Sequence, residues 1–270
     1  MTRLLLLFCF CCWSFFLSAQ LMTQPLNIGQ QHSFHSSILG EDRALNVYLP
    51  SSYHPDSSTT YPVLYVLDGG LDEDFLHISG LTQFGSMPWI QLLPEHIVVG
   101  IVNVDRKRDF TYPSTVEEDV RDFPTTGKSA PFIQFIKEEV QPLINKTYPT
   151  HQQNTLIGQS LGGLLATQIL LEQPELFDQY IIVSPSLWWD AGKLLQKSPT
   201  QPTKAPAVYI AVGKEGPIMQ QAAKKLYRKL KALPQHQRAL TFQYFPKNDH
   251  GDVLHLAVYQ AFEFLFSPKK

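Results

Sequence analysis

Beyond residue 12 this chain has no cysteine: all three, Cys9, Cys11 and Cys12, fall in its first twenty residues. Whatever fold the rest adopts needs no disulfide to hold it. No Cys/His cluster of metal-ligand spacing is present either, so no metal site is expected. An excess of charge of one sign is also lacking. The 24 acidic and 22 basic residues give a formal net charge of −2, which argues against nucleic acid or an anionic membrane surface as the main partner. There is no long charge run and no internal repeat. The 20 prolines and 15 glycines are spread along the chain instead of gathering in a linker, and one domain is the simplest account. The apolar run over residues 4–17 is shorter than the roughly 20 residues a spanning helix needs. With Arg3 before it and Ser18-Ala19-Gln20 after it, residues 1–20 read as a secretory signal peptide. Cys9 is a poor site for lipid attachment, because bulky Phe8 precedes it. A periplasmic or secreted protein is therefore expected, its residues 21–270 forming one domain with no stable membrane insertion after cleavage.

That remainder alternates between two kinds of pattern. Residues 32–49 read as two antiparallel strands turning at Gly40-Glu-Asp and ending at Pro50. Six later apolar runs, at 63–67, 97–104, 155–157, 180–183, 207–212 and 240–245, are mostly continuous, as strands covered on both faces must be. Helical spacing separates them. Phe132, Ile136, Val140, Leu143 and Ile144 line one face of a helix whose start is marked by Ser129 and Pro131. Met219, Ala222, Ala223, Leu226, Leu230 and Leu233 line another, and residues 253–266 supply a last one with Asp252 placed to cap it. The expected architecture is α/β: a mainly parallel, doubly wound sheet with an antiparallel N-terminal edge, binding ligands outside the carboxyl ends of its strands.

The stretch that carries chemistry is Gly158-Gln-Ser160-Leu-Gly162-Gly163. A short strand precedes it and a helix opens at Leu161, which is the context of a nucleophile elbow. A serine hydroxyl is a weak nucleophile and needs a base, which in turn needs an orienting group. His250, in the polar loop Lys247-Asn-Asp-His-Gly251, is the candidate base, with His255 as its rival. Glu215, just past the strand at 207–212, is the candidate orienter. Asp249 and Asp190 remain alternatives, as does a Ser–His dyad without an acid. The oxyanion requires two donors: the N–H of Leu161, and a second from Asp68-Gly69-Gly70-Leu71, assigned to Gly70 or a neighbour. Two clusters on the same predicted side shape a substrate pocket. Arg106 and Arg108 are suited to anionic or catecholate oxygens, or alternatively hold their own loop through Asp105 or Asp109. Trp188 and Trp189 are expected to wall the pocket, with burial of one of them the alternative.

Taken together, Tyr61-Pro-Val-Leu-Tyr-Val-Leu-Asp-Gly69, residues 103–113, Gly158-Gln-Ser-Leu-Gly-Gly163, Ser184-Pro-Ser-Leu-Trp-Trp189 and Asp249-His-Gly251 resemble the esterase D-type, or putative esterase, family of α/β-hydrolases. The resemblance runs from about residue 32 to the C-terminus. Within that family the chain is most similar to the enterochelin and salmochelin esterases, which cleave ester bonds of catecholate siderophores. Unlike the cytoplasmic enterochelin esterases, no additional amino-terminal domain is expected here, and the export signal is like that of shorter periplasmic members. The resemblance implies an α/β-hydrolase fold, Ser160 and His250 as catalytic residues with Glu215, a small-molecule ester as substrate and no cofactor. The expected activity is carboxylic-ester hydrolysis through an acyl-enzyme on Ser160. Acyl transfer from the same intermediate, and a non-catalytic binding role, are the alternatives.

Overall fold

A computed structural model describes residues 21–234 and 239–266; the expected signal peptide lies outside the described residues. Eight strands form one sheet in the order β1-β2-β4-β3-β5-β6-β7-β8. Strands β1 (Gln30–Ser36) and β2 (Glu41–Tyr48) are the antiparallel N-terminal edge, joined by a turn over 37–40 that closes before Glu41. β2 also runs antiparallel to β4 (Ile97–Ile101). From there β3 (Tyr61–Val66), β5 (Thr150–Gln159), β6 (Gln179–Val183), β7 (Ala207–Gly213) and β8 (Leu240–Phe245) pair in parallel. Successive side chains of a strand point to opposite faces, and both faces are apolar here. Val63, Tyr65, Val99, Leu156 and Ile182 enter one core, while Leu64, Val66, Val98, Ile157 and Ile181 enter the other. That double burial explains the continuous apolar runs.

Helices α1 (Phe75–Gly85) and α8 (Val253–Phe266) cover the second face through Phe75, Ile78, Val253, Ala257 and Phe262. The first face is covered by α4 (Ser129–Phe135), α6 (Leu161–Glu172) and α7 (Pro217–Lys231). α6 is buried from Leu161 to Leu171 on every side, so it has no polar face to orient it and is held mainly by packing. α4 continues through a π-helical turn at Ile136–Val140 into α5 (Gln141–Thr147). Pro142 near the start of α5 has no N–H to donate to the preceding turn, and the wider turn accommodates it.

Several local expectations are corrected. The strand expected over 97–104 ends at Ile101, and 155–157 is the centre of a strand of 10 residues. Ser129 is not the cap of its helix. It is fully buried and its hydroxyl donates to Gln168 Oε1 at 2.8 Å, joining α4 to α6. Asp252 turns its carboxylate back to accept from Asp249 N–H at 2.8 Å and Asn248 Nδ2 at 3.2 Å, bracing the loop of His250. Helices α1, α2 (Arg106–Phe110) and α3 (Glu117–Asp122) had no expectation attached. The shortest, α2, starts where Asp105 accepts from Arg108 N–H at 3.0 Å, an N-cap whose signal lies in one residue.

Candidate active site

Ser160 stands between β5 and α6 with φ 59° and ψ −119°, a conformation a side chain disfavours and that costs on the order of 1–3 kcal/mol. Two glycines make the turn possible. A Cβ on Gly158 would lie 2.4 Å from Gly162 O, and one on Gly163 would lie 2.9 Å from Pro185 Cα. Ser160 N–H donates to Val183 O at 3.1 Å, stitching the turn to the end of β6. Asp68 and Ser184, at the ends of β3 and β6, also take positive φ, 58° and 44°. Three strained non-glycine residues thus gather at the carboxyl edge of neighbouring strands.

His250 Nδ1 donates to Glu215 Oε2 at 2.6 Å. The imidazole is half exposed, whereas the carboxylate is almost sealed at 3%. With Nδ1 protonated in this way, Nε2 is the free acceptor of a neutral ring. Glu215 Oε1 in turn accepts from Gly213 N–H at 2.8 Å and from the Ser184 hydroxyl. Burial pushes the Glu215 carboxyl up, but hydrogen bonds from His250, Ser184 and Gly213 outweigh it and hold the group below its ordinary range. It is therefore an ionised carboxylate facing an imidazole. Asp249 does not take this place; its Oδ1 accepts from Gly251 N–H at 2.8 Å. Asp190 lies elsewhere, buried against Thr115 N–H at 2.8 Å and Lys193 at 3.0 Å. His255 stacks edge-on against His77, 5.5 Å between ring centroids, on the α1–α8 side.

Ser160, His250 and Glu215 line one cleft of about 560 Å³ together with Ser186, Trp188 and Met219. The Ser160 hydroxyl hydrogen-bonds with Ser186 Oγ at 3.3 Å. Ser186 was not assigned a role from sequence. The signal available was its position in Ser184-Pro-Ser186, three residues past a strand end, which composition cannot separate from an ordinary turn.

Leu161 N–H, at the first position of α6, has no hydrogen-bond partner among the described residues. Gly70 differs: its N–H donates to Glu73 Oε2 at 2.8 Å, so the donor expected to be free is engaged by a carboxylate of its own loop. Both arginines are engaged within the protein. Arg106 holds Asp68 with Nε and Nη2 at 2.5 and 2.9 Å, and reaches Gln159 O at 3.4 Å. It joins the loop after β3 to the elbow, through neither Asp105 nor Asp109. Arg108 takes the structural alternative: it pairs with Asp109 at 2.7 Å, as that reading expected, and also with Glu41 at 2.5 Å, in a network that includes the buried Arg43. Trp188 does border the cleft, 37% exposed. Trp189 does not. It is fully buried, its Nε1 donating to Tyr112 O at 2.8 Å.

The family described as Putative esterase matches residues 36–255. Ferri-bacillibactin esterase BesA of Bacillus subtilis (strain 168) is 28% identical over 250 residues, covering 84% of this chain and 86% of that protein. Among solved structures, an IroE-like serine hydrolase from Shewanella oneidensis superimposes with a TM-score of 0.76 at 28% identity, over 88% of this chain and 80% of the other. The enterobactin esterase FES from Shigella flexneri, crystallised in the presence of enterobactin, gives 0.69 at 20% identity, over 89% of this chain and 59% of that one; that likeness is one of α/β fold.

Proposed function

We propose, for a chain that belongs to the putative esterase family and is a carboxylic ester hydrolase, that Ser160 is its nucleophile and that its substrates are siderophore esters. The observation that carries the mechanism is the pairing of a strained elbow serine with an imidazole held 2.6 Å from a buried carboxylate, on one cleft. Ser160 Oγ attacks the ester carbonyl carbon while His250 Nε2 accepts the hydroxyl proton. Glu215 keeps the ring in the required tautomer and stabilises the imidazolium that forms. Negative charge on the carbonyl oxygen is met by Leu161 N–H, with a second donor from the loop after β3 once Gly70 is released from Glu73. Collapse expels the alcohol, which takes the proton from His250. A water activated by His250 then releases the acid and restores Ser160. Every proton is handled by side chains of this site.

The substrate class is supported by what the relatives are named for, a ferric siderophore in one and enterobactin in another. The cleft is compatible with an aromatic acyl group, since Trp188 and Met219 stand on its wall. We further propose that residues 1–20 direct export, after which residues 21–270 act as a single domain in the periplasm or outside the cell. Arg3, the apolar run behind it and the small residues at 18 and 19 support this. Among the described residues no helix is long and apolar enough to cross a membrane.

The test is turnover of a short-chain p-nitrophenyl ester and of a ferric catecholate trilactone by wild type and Ser160→Ala. Loss of both activities in the variant, on the order of 10⁶-fold in kcat, with far higher wild-type kcat/KM for the trilactone, is the expected result. Undiminished turnover by Ser160→Ala would sink the nucleophile. Cleavage of the simple ester alone would sink the siderophore assignment and leave the serine chemistry standing.

A further inference from the structure

The turn Ser184-Pro185-Ser186 at the end of β6 touches both ends of the catalytic arrangement. Ser186 N–H donates to Ser160 O at 3.0 Å and Ser186 Oγ lies 3.3 Å from the nucleophile. Two residues earlier the Ser184 hydroxyl donates to Glu215 Oε1. Ser184 is fully buried and held at φ 44°, with its N–H donating to Ala211 O at 2.8 Å. A buried non-glycine residue in that region is disfavoured, and the fold holds it there at a cost. At this position the hydroxyl is delivered to the carboxylate.

We infer that Ser184 is a positioning residue for catalysis, its hydroxyl fixing which oxygen of Glu215 faces His250. A carboxylate is nearly symmetric, and a glutamate reaching from a loop has three torsions with which to misplace it. Here the two oxygens are made unequal. Oε1 is filled by two donors from two different strand ends, Gly213 N–H at the end of β7 and Ser184 Oγ just past β6. Oε2 is left to accept from Nδ1 of His250. Without the hydroxyl, Oε1 keeps a single donor two residues away in sequence, and the carboxylate can rotate about it. The imidazole would then lose its fixed tautomer and direction while the substrate cleft keeps its walls. Charge-assisted bonds of this kind are the stronger class of hydrogen bond, so the restraint is a substantial one.

This inference rests on Glu215 as orienter of His250, and the experiment separates the two claims. Ser184→Gly deletes the hydroxyl while leaving a residue that adopts φ 44° without strain; Ser184→Ala deletes it and keeps the strain. Each is made alone and with Glu215→Gln, and kcat and KM for a p-nitrophenyl ester are compared, with thermal midpoints recorded. The expected result is a fall of about tenfold in kcat for both single variants, KM unchanged, and no further fall when either is added to Glu215→Gln. Wild-type kcat in Ser184→Gly would overturn the role of the hydroxyl, as would losses that multiply with Glu215→Gln. If Glu215→Gln itself keeps wild-type kcat, both the triad reading and the role of Ser184 fall together. A fall in Ser184→Ala alone, with Ser184→Gly active, would assign the effect to backbone strain and also overturn the inference.

Discussion

The Glu215 carboxylate is nearly sealed from water and still charged, because three donors outweigh the cost of burying it. That balance predicts a steep effect of neutralising it. Glu215→Gln should lower kcat by about 10²–10⁴-fold, since the amide presents the ring with the wrong hydrogen-bonding partner or the wrong tautomer. Asp249→Asn should stay within about tenfold, because its acceptor to Gly251 N–H survives as an amide oxygen. Steady-state kinetics on both variants would decide which acid orients His250, and equal losses would contradict the geometry. The two tryptophans separate at the same scale. Trp189→Ala empties a fully buried site and should cost about 3–5 kcal/mol of stability. Trp188→Ala should leave the urea midpoint near wild type and raise KM. A stable Trp189→Ala would show the core there to be less closely packed than its contacts with Phe123 and Tyr112 imply.

Element by element, the sheet edge shows where close approach is demanded and where it is not. The elbow depends on β5 and α6 meeting within a distance that no Cβ at Gly158 tolerates, 2.4 Å from a backbone oxygen. Gly158→Ala should therefore displace Ser160 and reduce turnover by more than a hundredfold even where the protein remains folded. Gly80, midway along the exposed side of α1, has nothing within 4 Å of the same position. Gly80→Ala should raise stability by about 0.5–1 kcal/mol, read as a higher midpoint in thermal unfolding, by lowering the entropy of the unfolded chain. Strand β2, second from the edge, is tied to α2 by the pair Arg43–Asp109 at 2.8 Å, both fully or nearly fully buried. Removing Asp109 leaves the buried Arg43 with Glu41, at 2.9 Å, as its remaining carboxylate, so Asp109→Ala should destabilise by less than the about 3–5 kcal/mol of a fully orphaned buried charge, measured in the same assay.

Over the whole molecule, two buried titratable groups act on stability with opposite sign across nearly the same pH range, His96 and Asp74. The His96 ring is fully inside, against Phe266, and burial first, then the nearby His151, hold it down to about 4 despite its bond to Pro94 O. A histidine depressed when folded adds stability above its unfolded value of about 6.5, and that stability is lost as pH falls towards the folded value. Taken alone, His96 lowers the unfolding free energy between about pH 6.5 and 4, and His96→Phe should remove that contribution. Asp74, raised to about 7 by burial and by Asp68 and Glu73, acts with the opposite sign. Its contribution is present below about pH 4 and lost as pH rises through 7, so between about pH 4 and 7 the two slopes oppose one another, and replacing either group should expose the slope of the other in the pH dependence of unfolding. At this scale the division between sequence and tertiary structure is physical. Continuous apolar runs can be read directly, because a strand covered on both faces leaves no polar position; so can the elbow, because two glycines around a serine between strand and helix satisfy a local steric demand. The α/β sheet, its antiparallel edge, and the neighbourhoods of Ser160 and His250 were legible for those reasons. The fates of Arg106, Arg108, Trp189 and Gly70 were not. Each depends on which partner, Asp68, Glu41, Tyr112 or Glu73, the packed sheet brings within about 3 Å, and a side chain of the same chemistry serves as ligand or as brace according to that partner alone.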